Sequence, residues 1–269
     1  MPVTSRPATK PALCDMRPDT VRRAAEKFSD LVQRIPPIGQ REVDQVLEDW
    51  PIDPRDADHE KAWSAIWTKP LYAKASTAAA DGWISQISRF AEPGWRSWGI
   101  DREAFFIEKV GSYSREEDFR GFGKNLEELR EVSRVPVFRL YGIQNAARAF
   151  RRRAARSERP VRDFVSTPLE TLVPRLEEEF GWGWGATTVT HMLADFGVAV
   201  KTDRHVMRSL RALGIWKSPA DVLKPDEVLE ANRGLRTLLL ALGEITPKNL
   251  RRLDIQLMMI SKHGLLPER

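Results

Sequence analysis

Cysteine is almost absent from this sequence, with Cys14 the single thiol among 269 residues. One cysteine cannot form a disulfide within the chain, and it cannot supply the several thiolates of a zinc or iron–sulfur site. The four histidines have no spacing typical of metal ligands; they are His59, His191, His205 and His263. We therefore expect neither a disulfide framework nor a metal centre.

Long hydrophobic runs are also absent. No stretch approaches the roughly 20 apolar residues that cross a bilayer, and the N-terminal MPVTSRPATKPALC lacks the apolar core of a secretory signal. We therefore expect a cytoplasmic protein without a membrane partner, associated with the nucleoid if its source is bacterial. The formal net charge of +5, from 43 basic and 38 acidic residues, permits an anionic partner without requiring one.

Alternating strand patterns are scarce, and VPVF (135–138) and GVAVKT (197–202) are the short candidates. Apolar residues at helical spacing are frequent instead, as in DTVRRAAEKFSDLVQRI (19–35). These patterns predict an all-α fold. Residues 1–18 are rich in Pro, Thr and Lys and poor in apolar groups, which indicates a flexible tail.

TPLETLVPRLEEEF (167–180) has the signals of a capped helix. Thr167 is expected to cap it, with Pro168 at the first position and Glu170 completing a capping box. Pro174 is expected to kink the helix or to restart it.

Three glycines alternate with two tryptophans in FGWGWGATT (180–188), between two helix-like segments. Glycine adopts backbone angles closed to other residues, so this stretch predicts a tight turn between helices. The backbone amides at the start of the second helix form a seat for a phosphate in one interpretation. In the other, the stretch is an ordinary αα-hairpin whose glycines allow close packing. The candidate DNA-backbone contacts here are Gly181, Gly183, Gly185, Thr187 and Thr188.

A short loop follows, and KTDRHVMRSLRALG (201–214) begins the next helix-like run at Asp203. This arrangement resembles the helix-hairpin-helix (HhH-GPD) superfamily of base-excision DNA glycosylases. The glycine–tryptophan stretch matches the family's hairpin turn, and DRHV (203–206) matches its Asp-x-His-Val/Ile tetrad. YGIQNAARAF (141–150) resembles the family's segment of a small residue, Asn, then Ala. The likeness covers about residues 102–214.

The resemblance implies two all-α lobes with a DNA-binding cleft between them. One lobe would combine residues 19–99 with 199–269 and carry Asp203, and residues 100–198 would form the lobe with the hairpin. The expected activity is hydrolysis of the N-glycosidic bond of a modified base flipped out of double-stranded DNA, by a monomer. The alternatives are a non-catalytic hairpin protein that binds DNA or recruits a repair partner, and an enzyme of the same fold that acts on foreign DNA. The excised base cannot be named from the sequence.

Two departures from the family pattern bear on the reaction. Phe180-Gly181 stands where the family usually has Pro-Gly, and the repeated Gly-Trp leaves the alignment open by two residues. Bifunctional members have a nucleophilic lysine at the start of the second hairpin helix, where this chain has Gly185 or Thr187. The resemblance therefore implies a monofunctional enzyme. It also implies no iron–sulfur cluster and allows a monovalent cation at the hairpin.

Asp203 is the expected catalytic residue. Base release passes through a sugar with oxocarbenium character, and a fixed carboxylate stabilises that charge and can orient the attacking water. The alternative is that Asp203 only caps its helix. Lys201 is expected to contact a DNA phosphate or to have no role, in preference to attacking the sugar, and His205 to pack or hydrogen-bond within the fold.

Aromatic and basic residues complete the expectations from the sequence. The aromatic pocket for the flipped base is expected in the Trp-rich N-terminal half or at Phe105, Phe106 and Tyr113, while the hairpin tryptophans wedge against packed helices. A row of arginines is either a solvated face or a phosphate track; it comprises Arg148, Arg151, Arg152, Arg153, Arg156 and Arg159.

Overall fold

The computed structural model describes residues 13–73, 75–90, 135–219 and 223–266. These residues form helices and no β-strand, which confirms the all-α class, and an antiparallel bridge pairs Cys14 with Trp216. None of their helices is long and apolar enough to span a bilayer. The α-helices are α1 (Pro18–Gln33), α2 (Pro37–Asp49), α3 (His59–Ile66), α4 (Lys69–Tyr72), α5 (Thr77–Phe90), α6 (Val137–Ala154), α7 (Leu169–Phe180), α8 (Ala186–Asp195), α9 (Arg204–Ala212), α10 (Pro225–Leu242) and α11 (Pro247–Lys262).

Both candidate strands are wrong. VPVF leads into α6, whose first residue is Val137. GVAVKT is a buried loop, and its polar backbone groups bond to the end of α8 and to side chains instead of to a neighbouring strand. Asn232 accepts a hydrogen bond from the Val200 amide (2.9 Å), and Arg236 donates one to the Val198 carbonyl (2.7 Å). Burial from both sides explains why the loop is apolar enough to resemble a strand.

The predicted start of α7 is also wrong in detail. Pro168 occupies the N-cap position and no side chain caps the helix. The Thr167 hydroxyl instead donates to the Asp163 carbonyl at 2.9 Å, in the short 3₁₀ turn Arg162–Val165 that precedes it. Pro174 lies inside α7, and the helix continues through it to Phe180 without a restart.

Buried apolar side chains form two clusters. The first joins side chains of residues 57–80 and 135–199 with Val228, from α3 to α8 and α10. The second joins residues 14–43, 200–216 and 231–260, from α1, α2 and α9 to α11. The chain passes from the first cluster to the second between Ala199 and Val200.

The clusters bear on two expectations about chain organisation. Residues 57–80 pack in the first cluster, with residues 135–199, although the predicted lobes grouped them with the C-terminal helices. Cys14 and Asp15 are buried within the predicted flexible tail, because this segment packs against α10 and bridges to Trp216. The two-lobe arrangement with a cleft stays a prediction.

Candidate functional site

The glycine–tryptophan stretch forms a tight turn between α7 and α8, which confirms the αα-hairpin. Gly181 and Gly183 have φ of 71° and 91°, in the region that side chains rarely adopt. Gly185 is the N-cap residue of α8 at φ −70°, so it needs no glycine-specific angle. Thr187 and Thr188 lie in the first turn of α8 and do not cap it.

The hairpin packs directly on α6 through backbone-to-backbone contact. A Cβ on Gly183 would lie only 3.2 Å from the Cα of Gly142, and a Cβ on Gly142 would lie 2.9 Å from the Pro70 side chain, so both positions favour glycine. Asn145 donates from Nδ2 to the Trp182 carbonyl at 3.2 Å. Gly142 and Asn145 belong to YGIQNAARAF, so the two segments that carry the family resemblance contact each other.

Both hairpin tryptophans pack against helices, as expected. Trp184 is buried, donates from Nε1 to the Gly142 carbonyl at 2.8 Å, and has its ring 4.6 Å from that of Phe180. The Trp182 ring lies 6.1 Å from Phe138 and 5.8 Å from Tyr141, edge to face. These rings fix the turn on α6.

Glu177 is a hairpin residue that the sequence reasoning missed. Partial burial raises the pKa of this carboxyl, against the opposing effect of a hydrogen bond from the Ala186 backbone amide. One of the first amides of α8 is therefore already in contact with an internal carboxylate. An incoming phosphate would compete with Glu177 for it.

The hairpin carbonyls bear on the cation that the resemblance allows. The Gly181 carbonyl accepts a hydrogen bond from the Trp184 amide at 3.1 Å, and the Trp182 carbonyl accepts the one from Asn145. The cation stays an expectation.

Asp203 is the N-cap residue of α9, and its two carboxylate oxygens have different surroundings. Oδ1 accepts hydrogen bonds from the backbone amides of His205 (2.9 Å) and Val206 (3.1 Å). Oδ2 forms an ion pair with Lys201 Nζ at 3.1 Å, and the two side chains are 21% and 26% exposed. The capping role is therefore confirmed. The side chain remains partly exposed, and its Oδ2 lies beside an amine.

His205 has the structural role expected of it. Its Nδ1 lies 3.0 Å from the Ser261 hydroxyl, which ties α9 to α11, and burial lowers the pKa of the ring. This contact fixes the first turn of α9, where Asp203 is the cap.

Four largely buried charged side chains contact one another next to the Asp203 loop, namely Lys69, Asp195, Arg251 and Asp254. The sequence analysis predicted none of these contacts. Asp195, the last residue of α8, pairs with Lys69 of α4 and with Arg251 of α11, whose Nη2 lies 3.1 Å from Oδ1. Arg251 Nη1 donates to Asp254 Oδ2 at 2.8 Å, and Asp254 Oδ1 accepts from the Lys201 amide at 3.1 Å. Burial raises the pKa of Asp254 to about 6 and lowers that of Lys69.

The predicted site residues therefore form two groups. The glycines and threonines lie at the N-terminal end of α8, while Lys201 and Asp203 lie beyond its C-terminal end. The ten residues of α8 span about 15 Å at 1.5 Å each. Lys201 pairs with Asp203 and is not part of the hairpin.

The arginine row begins on α6 and is divided in function, and Arg156 and Arg159 lie beyond the end of the helix at Ala154. Arg153 is bound internally, with Glu179 at 2.5 and 2.7 Å and Asp163 at 2.9 Å, so it stabilises the fold. Arg156 and Arg159 are exposed to solvent. A phosphate track along the remaining arginines stays a prediction.

The remaining expectations concern the pocket for the base and a metal ion. The pocket candidates Phe105, Phe106 and Tyr113 lie outside the described residues. Within the described part of the chain, no group of three or more His, Cys, Asp or Glu side chains could hold a metal ion.

Comparison of the chain with known protein families, characterised proteins and solved structures found no match in any of the three. Function must therefore be inferred from these residues and their contacts.

Proposed function

We propose that this protein is a monofunctional DNA glycosylase that hydrolyses the N-glycosidic bond of a modified base flipped out of duplex DNA. The observation that supports this best is the Asp203 carboxylate. Two backbone amides hold its Oδ1 at the N-terminus of α9, while the side chain stays partly exposed and Oδ2 pairs with Lys201. A carboxylate fixed in this way stabilises developing positive charge without having to reorganise during the reaction.

The two oxygens of Asp203 would have different roles: one holds the side chain in place and the other acts on the sugar and the water. Oδ1 is used to hold the side chain, and the N-terminus of α9 favours negative charge there. Oδ2 faces the sugar and the attacking water, and it can stabilise the oxocarbenium character and orient that water. In the absence of DNA, Lys201 neutralises this oxygen. A DNA phosphate offers the ammonium another partner and so frees the carboxylate for the sugar.

Hydrolysis without strand cleavage follows from where the amines lie. The start of α8 provides Gly185, Ala186 and Thr187, none of which can form a Schiff base. Lys201 is held in an ion pair with Asp203, and an ammonium is not a nucleophile. Water is therefore the proposed nucleophile, and the product is an intact abasic strand.

The hairpin would hold the DNA. Gly185 and Thr187 are exposed at the N-terminal end of α8, where amides and the helix dipole favour a phosphate. About 15 Å of helix separates this end from the Asp203 loop, so the two groups would contact different nucleotides. Glu177 weakens the hairpin seat, and Lys201 and the exposed arginines would contribute further backbone contacts.

A non-catalytic DNA-binding or scaffold protein is the second candidate. One observation favours it: both oxygens of Asp203 already have partners within the chain, as in a purely structural cap.

Release of free base separates the two candidates. Duplexes carrying one alkylated, deaminated or oxidised base each are incubated with the full chain, and released base is measured by mass spectrometry. The glycosylase releases base from at least one duplex. A chain that binds these duplexes but releases nothing from any of them is the scaffold protein.

A further inference from the structure

Lys69, Asp195, Arg251 and Asp254 are a buried set of charges that neither hydrolysis nor DNA binding has used so far. Lys69, Asp195 and Asp254 are 3–6% exposed, and the Arg251 side chain is 14% exposed. They come from α4, α8 and α11, so the set crosses from the first apolar cluster to the second. Burying charges is costly, and apolar residues of the same size are often at least as stabilising. A role beyond packing would explain their presence.

The Asp254 end of this set contacts the loop that carries Asp203. Residues 198–203 lie outside any helix or strand. The Val198 amide donates to a carbonyl of α8, and side chains of α10 and α11 bind other backbone groups of the loop. Asn232 and Arg236 bind Val200 and Val198, and Asp254 binds the Lys201 amide. Of these three contacts, the one from Asp254 is nearest to Asp203 in the chain and comes from an ionisable group.

We propose that Asp254, held in place by Arg251, is a positioning residue that fixes the Lys201 backbone and thereby aims the Asp203 carboxylate at the sugar. This inference rests on the proposed glycosylase function. Arg251 also pairs with Asp195 at the end of α8, so the same guanidinium connects the hairpin helix to the catalytic loop. DNA bound at the hairpin is thereby held in register with the carboxylate.

Ionisation of Asp254 predicts a dependence on pH that can test the proposal. The groups that face it are Arg251 on its own helix and Lys201 and Asp203 on the loop. Asp195 and Lys69 adjoin through Arg251. Burial raises the pKa of Asp254 to about 6 from an ordinary 3.8. Above this value Asp254 is charged and binds Arg251 and the Lys201 amide firmly, and below it these bonds weaken.

Activity and stability should consequently change in opposite directions with pH. Asp254 in the folded state binds its proton up to a higher pH than in the unfolded state, so between pH 3.8 and about 6 the folded chain holds the extra proton. The free energy of unfolding contributed by Asp254 therefore falls as the pH rises through this window. The rate of base release rises over the same window, because the ionised carboxylate positions Asp203.

The test compares the full chain with Asp254→Asn, Arg251→Lys and a control, Asp15→Asn. Asp15 is as buried as Asp254, with 6% of each residue exposed, and it is paired with Arg17. It contacts Ile215 and Lys217 beyond the C-terminal end of α9, whereas Asp203 caps the N-terminal end. Each protein is labelled with ¹⁵N, and the Lys201 amide resonance is followed from pH 5 to 8. Single-turnover base release and the Kd for DNA are measured on the duplex that the wild type processes.

We expect the chemical shift of the Lys201 amide to change with a midpoint near pH 6 in the wild type and in Asp15→Asn. In Asp254→Asn it should not change with pH. A misplaced reacting group costs up to about 100-fold in rate, so Asp254→Asn should release base about 10- to 100-fold more slowly at unchanged Kd. Arg251→Lys keeps the charge but cannot span both carboxylates, so its rate should fall between the two.

Two results would overturn the inference. One is a Lys201 amide in the wild type that does not titrate near pH 6, and the other is an Asp254→Asn protein with the wild-type rate. If the wild type releases no base from any duplex, the proposed glycosylase function fails. The amide titration then decides by itself whether Asp254 controls the Lys201 backbone.

Discussion

Gly183 and Gly185 are two residues apart in the same turn, yet their replacement by alanine should have different effects. At Gly183 the backbone has φ of 91°, and the added Cβ would meet the Cα of Gly142 at 3.2 Å. At Gly185 φ is −70°, and nothing lies within 4 Å of the added Cβ. The structure therefore separates two glycines that the sequence pattern treats alike.

The expected magnitudes follow from these geometries. A non-glycine residue in a sparsely populated backbone region costs about 1–3 kcal/mol, and overpacking against a backbone atom adds about 1–3 kcal/mol. Lower entropy of the unfolded chain returns about 0.4–1 kcal/mol. Together these ranges predict that Gly183→Ala lowers the free energy of unfolding by about 1–6 kcal/mol, with about 3 kcal/mol at their centre. For Gly185→Ala, the same entropy gain offsets the poorer N-cap, which leaves a change within about 1 kcal/mol.

Urea unfolding followed by circular dichroism measures both variants against the wild type. In thermal unfolding, a loss of 1 kcal/mol lowers the Tm of a domain of this size by about 2–4 °C. A loss of about 3 kcal/mol therefore places the Tm of Gly183→Ala about 6–12 °C below the wild type, and Gly185→Ala should lie within about 4 °C of it. Equal stabilities of the two variants would refute the close packing of the hairpin on α6.

Three further predictions concern the hairpin and the nucleophile. Gly185→Val, whose Cβ has nothing within 4 Å, should fold with a modest loss of stability from the poorer N-cap and bind all duplexes more weakly and alike, with affinity falling steeply with salt; unchanged binding would make the hairpin only a packing turn. Borohydride added during turnover should trap no protein–DNA adduct, and a trapped adduct would direct attention to Lys201. Trp184→Phe should cost about 1–3 kcal/mol of stability in urea, because the buried Gly142 carbonyl loses its donor; wild-type stability would contradict that bond.

Much of the local structure was predictable because its causes are local. The hairpin follows from glycine's freedom at positive φ, and α9 begins where a capping carboxylate stands before an amphipathic run. His205 was expected to bond within the fold, and its contact with Ser261 confirms this. In each case a few neighbouring residues carry the physical signal.

The buried charged contacts next to the Asp203 loop were not predictable, because the residues that meet there are distant in sequence. Lys69 and Asp195 are 126 positions apart, and Lys201 and Asp254 are 53 apart. The available signal was a charged residue at a core-facing position, such as Asp254 between Leu253 and Ile255. That pattern indicates a buried partner but cannot name it.

The same limit explains the error at GVAVKT. Val198, Ala199 and Val200 are all buried, since the loop passes between the two apolar clusters. Burial on every side produces the apolar composition of a buried strand. A buried strand and this loop differ in the hydrogen-bond partners of their backbone groups. In the loop, those partners include side chains of α10 and α11.

Asp203→Asn tests the proposed function most directly, because asparagine caps helices as well as aspartate does and so preserves α9. Asp58→Asn is the matched control: Asp58 caps α3 through the Lys61 amide at 2.8 Å, and α3 carries none of the proposed site residues. On the duplex that the wild type processes, Asp203→Asn should release base about 100-fold or more slowly with unchanged Kd, while Asp58→Asn releases it at the wild-type rate. Base release by Asp203→Asn at the wild-type rate would contradict the catalytic role of Asp203.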